Sequence, residues 1–127
     1  MASAVKAILA IEKELVRDFN AGKIDRLLAH FHPGVAGFSS TRQDRIAGRS
    51  AMKKTFSYYR DASSRMKYLV AKPRTQVFGD VAVATFYWTV ELGAGRPRHV
   101  IRGRGSHVFV RQLGKWWIVH EHFSRAH

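Results

Sequence analysis

The spacing of apolar residues changes near Arg65, and this change limits the possible folds more than any other feature of the sequence. Before this point apolar residues recur every three or four positions, and after it they alternate with other residues, as in Met66, Tyr68 and Val70. The first spacing is typical of a helix that buries one face, and the second of a strand with two different faces. The sequence therefore predicts an α+β fold, with helices first and an antiparallel sheet after them.

Three helices are predicted before the change in spacing. The first covers residues 4–20 and ends at Gly22. The second is short and ends at His32-Pro33, because the residue before a proline is disfavoured in the helical conformation. A brief extended stretch and a polar loop lead to a third helix over residues 49–61. The apolar face of the first helix is formed by Val5, Ile8, Ile11, Leu15 and Phe19.

Four long strands are predicted after the change, over residues 65–78, 80–92, 97–111 and 115–124. Turns separate them at Gly79-Asp80, at residues 93–95 and at Leu113-Gly114. Pro73 cannot donate a hydrogen bond to a central ladder, so we expect a bulge or an edge position in the first strand. Long strands twist and coil, and the resulting sheet can wrap around the helices as a cone that is open at one end.

Composition limits the domain organisation and the chemistry. A length of 127 residues with 46% hydrophobic content predicts a single domain over residues 1–127. The sequence has no cysteine, which excludes disulfides, thiolate metal sites and a thiol nucleophile. Lys6 and Glu12 interrupt the first apolar run, which argues against a signal peptide or a membrane span. We expect a soluble, cytoplasmic protein with no membrane partner.

The charge of the chain raises the question of a polyanionic partner. Its 22 Lys and Arg residues exceed its nine acidic residues by 13. A basic surface attracts nucleic acids and acidic ligands. The basic residues nevertheless occur singly among strand residues, without a run of five or six and without a nucleic-acid motif. We therefore do not expect nucleic acid as a partner, and polyanion binding is kept as an alternative.

The faces of the last hairpin depend on its turn. A three-residue loop, Gln112-Leu113-Gly114, places glycine at the position that usually adopts a left-handed conformation. This loop pairs Phe109 with Trp117 and His107 with Val119, whereas a two-residue loop would shift the register by one and mix the two faces. The predicted odd-numbered face contains Gly105, His107, Phe109, Trp117, Val119, Glu121 and Phe123, and the even-numbered face contains Arg104, Ser106, Val108, Val110, Trp116, Ile118, His120 and His122.

Both predicted faces are rich in large apolar side chains, and an apolar sheet face has to be covered. The three helices can cover only one of them. The simplest cover for the other is a second copy of the chain, so we expect a homodimer or higher homo-oligomer that forms through the sheet.

The order of elements and four segments carry a resemblance to a known family: "FNAGKIDRLLAHFHPGVAGF", "IAGRSAMKKTF", "GRPR" at residues 95–98 and "RGRGSHVFVRQLGKWWIVHEHFS". They resemble the nuclear-transport-factor-2-like superfamily, and within it the SnoaL-like proteins and the association (hub) domain of calmodulin-dependent protein kinase. The resemblance covers nearly the whole chain. It implies a cone-shaped, cystatin-like barrel in which three N-terminal helices pack in a strongly curved antiparallel sheet that dimerises. The superfamily includes isomerases, cyclases, dehydratases and assembly domains, so the resemblance leaves the activity open.

The resemblance also bears on which face lines the cone. The arginines that bind carboxylates in the kinase hub correspond here to Phe86, His107 and Phe123, so all three arginines are absent. Their positions agree with the odd-numbered face. This places His107 and Glu121 inside the cone and His120 and His122 at a subunit interface.

On that face Glu121 lies two residues beyond Val119, the predicted partner of His107, and its side chain can reach the imidazole across the diagonal to form a charge-assisted pair. Burial among aromatic rings disfavours a carboxylate and a neighbouring imidazolium favours it, and such opposed influences set acid and base roles. We predict these two residues as catalytic. The alternative is that the pair only satisfies two polar groups in a core, and that the rings around it are core packing. The predicted ligand-binding walls are Phe86, Trp88, Phe109, Trp117 and Phe123.

The H-x-H segment at His120 and His122 is a weak indication of a metal site. Beyond Ser106 and Arg104 the sequence offers no obvious third ligand on that face, and Arg104 would repel a cation. We therefore expect no metal and no cofactor. Hydrogen bonding across a twofold interface is the preferred role of the two histidines.

The leading hypothesis is an oligomeric SnoaL-like domain that binds a small, mostly apolar molecule in its cone. Any catalysis would be proton transfer or dehydration, as in an isomerase, cyclase or dehydratase that acts through His107 and Glu121. The alternative is an assembly domain without chemistry, like the kinase hub.

Overall fold

The computed structural model describes residues 2–62, 65–93 and 99–126. Its order of elements confirms the α+β prediction and adds two strands ahead of the four long ones, at the extended stretch and within the polar loop. The helices are α1 (Ala2–Asn20), α2 (Ile24–Leu28) and α3 (Arg49–Ala62), and the strands are β1 (Phe31–Phe38), β2 (Ile46–Ala47), β3 (Lys67–Phe78), β4 (Val81–Leu92), β5 (His99–Gln112) and β6 (Lys115–Arg125).

The six strands form one curved sheet in the order β2-β1-β6-β5-β4-β3. β1 runs parallel to β6, and all other neighbours are antiparallel. Pro73 lies on the edge strand β3, where the register shifts between Ala71 and Arg74 and Lys72 adopts a positive φ of 52°. The proline predicted either an edge position or a bulge, and both occur here.

The helices cover the concave side of the sheet, and the core lies between them. Ile8 and Leu15 of α1 are buried there together with Phe31 of β1, Phe109 of β5 and Ile118 of β6. This packing fixes α1 across the middle of the long strands. No helix in the described residues is long and apolar enough to cross a membrane.

The turn of the last hairpin differs from the prediction. Gln112 pairs directly with Lys115, so the loop has two residues, Leu113 and Gly114, with φ values of 53° and 74°. Positive φ at both positions defines a type I′ turn, whose twist matches that of the flanking strands. The expected three-residue loop is therefore wrong. Phe109 pairs with Ile118 rather than with Trp117.

A bulge further along β6 then restores the predicted orientation of the odd-numbered residues, although not the predicted register. Ile118 pairs with Phe109 and His120 pairs with Val108, so Val119 is an extra residue without a partner. Beyond the bulge, His107 lies directly opposite Glu121. The odd-numbered face was therefore right for His107, Phe109 and Glu121 and wrong for Trp117 and Val119, which the two-residue loop turns away from the core, while Trp116 and Ile118 are buried.

The turn predicted over residues 93–95 is only partly described: Gly93 has a φ of 78°, and residues 94 and 95 lie outside the described residues. The "GRPR" segment at 95–98 lies outside them as well.

Candidate functional site

A cavity of about 270 Å³ lies inside the cone, between the helices and the concave face of the sheet. Its walls are mostly apolar, and its ionisable floor is formed by His107 and Glu121. Hydroxyl groups and Arg125, an exposed residue at the end of β6, lie among the remaining lining residues. The lining consists of Leu15, Phe19, Leu27, Phe31, Ser39, Ser40, Thr41, Thr55, Phe56, Tyr59, Met66, Tyr68, Trp88, Val90, Leu92, Ile101, His107, Glu121, Phe123 and Arg125.

The two side chains of the floor belong to a group of three ionisable side chains in hydrogen-bond contact, of which the third, Glu12, lies behind the cavity wall. His107 Nε2 lies 2.7 Å from Oε1 of Glu121, and His107 Nδ1 lies 2.8 and 2.9 Å from the two carboxylate oxygens of Glu12. All three side chains are at most 6% exposed. We call this arrangement, Glu12–His107–Glu121, the buried triad. It joins α1, β5 and β6 at one point.

The electrostatics of the triad favour a charged imidazole. Burial alone lowers the pKa of His107, but the charge of Glu12 and the hydrogen bonds to both carboxylates outweigh it and raise this pKa to about 10. At neutral pH the ring is an imidazolium that donates one N–H to each carboxylate. The pKa of Tyr68 lies well above its usual value because of burial and the charges of Glu12 and Glu121, so its phenol keeps its proton.

The three side chains of the triad differ in whether they can contact a ligand. Both ring nitrogens of His107 are engaged, so the imidazole has no free nitrogen for a ligand. Glu121 lines the cavity, and among the described residues its second oxygen, Oε2, has no hydrogen-bond partner. The atom available to a ligand is therefore this oxygen, and His107 and Glu12 hold it in place.

The predicted ligand-binding residues are not all in the same place. Trp88 and Phe123 line the cavity, and the Trp88 indole is fixed by a hydrogen bond from Nε1 to the carbonyl of Arg104. Phe86 and Phe109 are buried next to the ring of His107, with centroids 5.2 and 6.1 Å away, and do not line the cavity. They pack behind its floor instead.

Trp117 is a correction to the sequence prediction. Because the turn has two residues, this side chain lies on the opposite face of β6 from the cavity. Its ring packs against His32, with centroids 6.1 Å apart, and under the amine of Lys115 at 4.0 Å. Trp117 therefore does not line the cavity.

Two glycines of β5 allow the aromatic wall to form. A Cβ atom on Gly103 would lie 2.3 Å from the ring of Trp88, and one on Gly105 would lie 2.4 Å from the ring of Phe86. The rings of β4 therefore lie flat across the neighbouring strand in space that any other residue would fill. This explains why glycine occurs at both positions.

Sequence reasoning missed two residues of the site, Glu12 and Tyr68. Glu12 lies four residues after Ile8 and three before Leu15, which places a charged residue on the buried face of α1. That spacing is a usable signal, because a buried carboxylate needs a partner. Tyr68 was recognised only as part of an alternating strand pattern.

The H-x-H segment lies on the convex side of the sheet. His122 packs its ring against Phe38 of β1, with centroids 5.4 Å apart, and pairs across the ladder with Ser106. In the described parts of the chain no three His, Cys, Asp or Glu side chains converge in a way that could hold a metal ion.

The curved sheet, the helices on its concave side and the cavity between them define the class of the protein: a cone-shaped α+β domain of the nuclear-transport-factor-2-like (NTF2-like) type. Within this class, residues 8–127 match the SnoaL-like domain family, and the chain belongs to that family. The resemblance inferred from the sequence is thereby confirmed.

Three solved structures are similar to this one. An NTF2-like protein of unknown function from Pseudomonas putida KT2440 has a TM-score of 0.90 and 19% identity, over 98% of this chain and 87% of that chain. The CaMKII hub of S. rosetta has a TM-score of 0.84 and 27% identity, over 96% of both chains. A proposed dehydratase of the NTF2-like family from Streptomyces avermitilis has a TM-score of 0.86 and 15% identity, over 99% and 98%.

The P. putida and S. avermitilis proteins are similar in fold alone. Neighbours with a cystatin-like fold include a protein from Caulobacter vibrioides, with a TM-score of 0.83 and 16% identity over 96% of this chain and 89% of that chain, in agreement with the predicted fold class. A sequence comparison with curated proteins gives no match.

Proposed function

We propose that the protein binds a small, mostly apolar molecule in its cavity, and that Glu121 contacts the polar group of that molecule. The observation that carries this proposal is the unpartnered carboxylate oxygen of Glu121 at the floor of an otherwise apolar cavity. A few polar groups in an apolar enclosure are typical of small-molecule sites, where the apolar walls supply affinity and the polar groups fix orientation.

The size of the cavity limits the ligand. A dry cavity of about 150 Å³ holds a benzene molecule in another protein. The cavity here, with about 270 Å³, accommodates one ring with a short substituent, or an aliphatic compound of similar size.

Any chemistry at this site is proton transfer. Glu121 is a proton acceptor held in one orientation by its bond to His107, and Tyr68 offers a phenol that remains protonated. Apolar walls exclude water, and this strengthens electrostatic contacts between the carboxylate and a bound molecule. Isomerisation and dehydration both need a group that removes a proton from a bound molecule.

Neutral probes test the proposed binding. We expect benzyl alcohol and toluene to bind to the wild-type protein in calorimetric titrations and to raise its Tm. Val90→Phe adds a ring to the cavity wall and should abolish both effects, because Val90 lines the cavity. Thr89→Phe is the matched control, since Thr89 lies on the opposite face of the same strand. Failure of both probes to bind, or equal binding to Val90→Phe, would contradict the proposal.

A second candidate function is assembly, which the 27% identity to the S. rosetta hub over 96% of both chains favours. We propose that copies meet through the convex side of β1 and β6, where the ring pair of Phe38 and His122 lies at the surface.

The convex side beyond β6, on β5 and β3, is unsuited to self-association. Lys72, Arg74, Arg102 and Arg104 lie there on β3 and β5, and within the described residues none of them forms an ion pair. Four like charges repel a second copy of the same surface.

Sedimentation tests the assembly proposal. We expect a dimer or larger species for the wild-type protein, a monomer for His122→Glu, and an unchanged species for the control Arg74→Glu on the edge strand. A wild-type monomer at all concentrations would refute this second function.

A further inference from the structure

We propose that the ligand of the cavity carries a protonated amine, and that its ammonium group binds between the carboxylate of Glu121 and the aromatic rings of the wall. The inference rests on the proposed function, because it specifies the chemical class of the molecule that the cavity binds. Three features carry it: the net charge of the buried triad, the free oxygen of Glu121, and the aromatic lining.

The charge of the buried triad favours a cation. The triad contains two acidic side chains and only one basic side chain, so its formal net charge is −1. A net charge in an apolar enclosure is poorly solvated and has to be compensated by a partner. Among the described lining residues the only other charged side chain is Arg125, which is exposed. A ligand cation at the floor would neutralise the triad.

The free oxygen of Glu121 gives this cation a defined contact. Glu12 uses both of its oxygens on His107, whereas Glu121 uses only Oε1. Oε2 of Glu121 can therefore accept a hydrogen bond from an N⁺–H group, and such charge-assisted bonds are shorter and stronger than neutral ones. A neutral alcohol can make the same bond but leaves the charge of the triad uncompensated.

The aromatic lining provides a second set of contacts for the ammonium group of the ligand. Phe123 lies next to the triad, with its ring centroid 6.0 Å from that of His107, and it contacts the rings of Trp88 at 6.0 Å and Tyr68 at 6.3 Å. Phe19, Phe31, Phe56 and Tyr59 complete the aromatic part of the wall. The faces of such rings attract organic ammonium groups, and a carboxylate with several rings is the usual means of binding them.

A carboxylate ligand fits the floor poorly. Its negative charge would face Glu121, and Arg125 is the only cation that it could meet among the lining residues that the structure describes. The net charge of +13 on the whole chain does not reverse this preference. Long-range repulsion between exposed charges and an approaching cation is screened beyond about 8 Å at physiological ionic strength, whereas contacts inside the cavity are screened far less.

Three probes of similar size separate the possibilities: benzylamine, benzyl alcohol and benzoate, titrated calorimetrically at pH 7.5. We expect benzylamine to bind at least about tenfold more tightly than benzyl alcohol and benzoate to bind most weakly. Equal affinities for amine and alcohol, or a preference for benzoate, would overturn the inference. Binding of benzyl alcohol that Val90→Phe blocks would in that case still support the proposed function, whereas no binding of any probe would overturn both.

Three variants test which side chains cause the preference for benzylamine. Glu121→Gln removes the charge, leaves Glu12 and His107 as a neutral pair, and should weaken benzylamine at least about tenfold with a much smaller effect on benzyl alcohol. Phe123→Leu removes only the ring and should also weaken the binding of benzylamine more than that of benzyl alcohol. This second variant provides a test even if Glu121→Gln does not fold. Glu14→Gln, on the outer surface of α1, should leave all three affinities unchanged. Unchanged benzylamine binding in Glu121→Gln or in Phe123→Leu would refute the proposed geometry.

Discussion

The buried triad makes a quantitative prediction about stability and pH. The pKa of His107 is raised from 6.5 to about 10 in the folded protein, so the folded state binds one more proton than the unfolded state between these values. The contribution of this proton to stability is complete below pH 6.5 and is lost as the pH rises towards 10. The linkage slope is about −1.4 kcal/mol per pH unit, which amounts to about 2.5 kcal/mol between pH 7 and pH 9. This is a large share of the 5–15 kcal/mol that is roughly typical of a domain.

Glu12→Gln isolates the cause of this slope. The charge of Glu12 contributes most to raising the pKa of His107, and glutamine keeps a similar shape and an acceptor for Nδ1. We expect the variant to be less stable than wild type at pH 7, and its stability to depend much less on pH up to pH 9. Urea unfolding at pH 7, 8 and 9 measures both quantities. The raised pKa of Tyr68 does not interfere, because the phenol titrates above this range.

Glu14→Gln is the matched control on the same helix. Glu14 also bonds a histidine, His30, at 2.9 Å, but its side chain is 43% exposed and its contribution is screened by water. This variant should keep the wild-type slope. A wild-type free energy of unfolding that is constant from pH 7 to pH 9, or equal flattening in both variants, would refute the assignment of the slope to the triad.

Three further variants test the wall and the turn. Gly105→Ala should cost about 1–3 kcal/mol in urea unfolding, because the added Cβ would lie 2.4 Å from the ring of Phe86; an unchanged midpoint would contradict this. Leu113→Asn should increase the free energy of unfolding by up to about 1 kcal/mol and raise the Tm, because asparagine tolerates the positive φ of the turn; a lower Tm would contradict the turn type. Tryptophan fluorescence should respond to ligand in Trp117→Phe but not in Trp88→Phe, since only Trp88 lines the cavity; the reverse would restore the original face assignment.

The overall architecture was predictable because it depends on local spacing. The change of period near Arg65 separates helices from strands, and each residue contributes to that pattern independently of the rest of the fold. Pro73 predicted a bulge or an edge position for an equally local reason, the missing donor. Such signals are present in the sequence itself.

The site was less predictable because it depends on register. Leu113 adopts a conformation that leucine rarely takes, so the sequence favoured a longer loop and an incorrect pairing. The bulge at Val119 shifts the register once more, so that Glu121 faces the core as predicted but pairs directly with His107. An unpaired valine has no local signature, because its position follows from the mutual twist of two strands. His107 and Glu121 are adjacent for a reason other than the one predicted: they are direct partners, not diagonal ones.

The extra residue at Val119 divides β6 into two segments whose alternations are independent. Trp116 and Ile118 belong to the packed base of the cone, and Glu121 and Phe123 to its open interior, although all four point to the same side. Substitutions at Glu121 or Phe123 can therefore change which ligand the cavity binds without disturbing the core packing of Trp116 and Ile118. One continuous strand thus combines a segment that packs in the core with a segment that lines the cavity, and the second can change its ligand while the first keeps the fold stable.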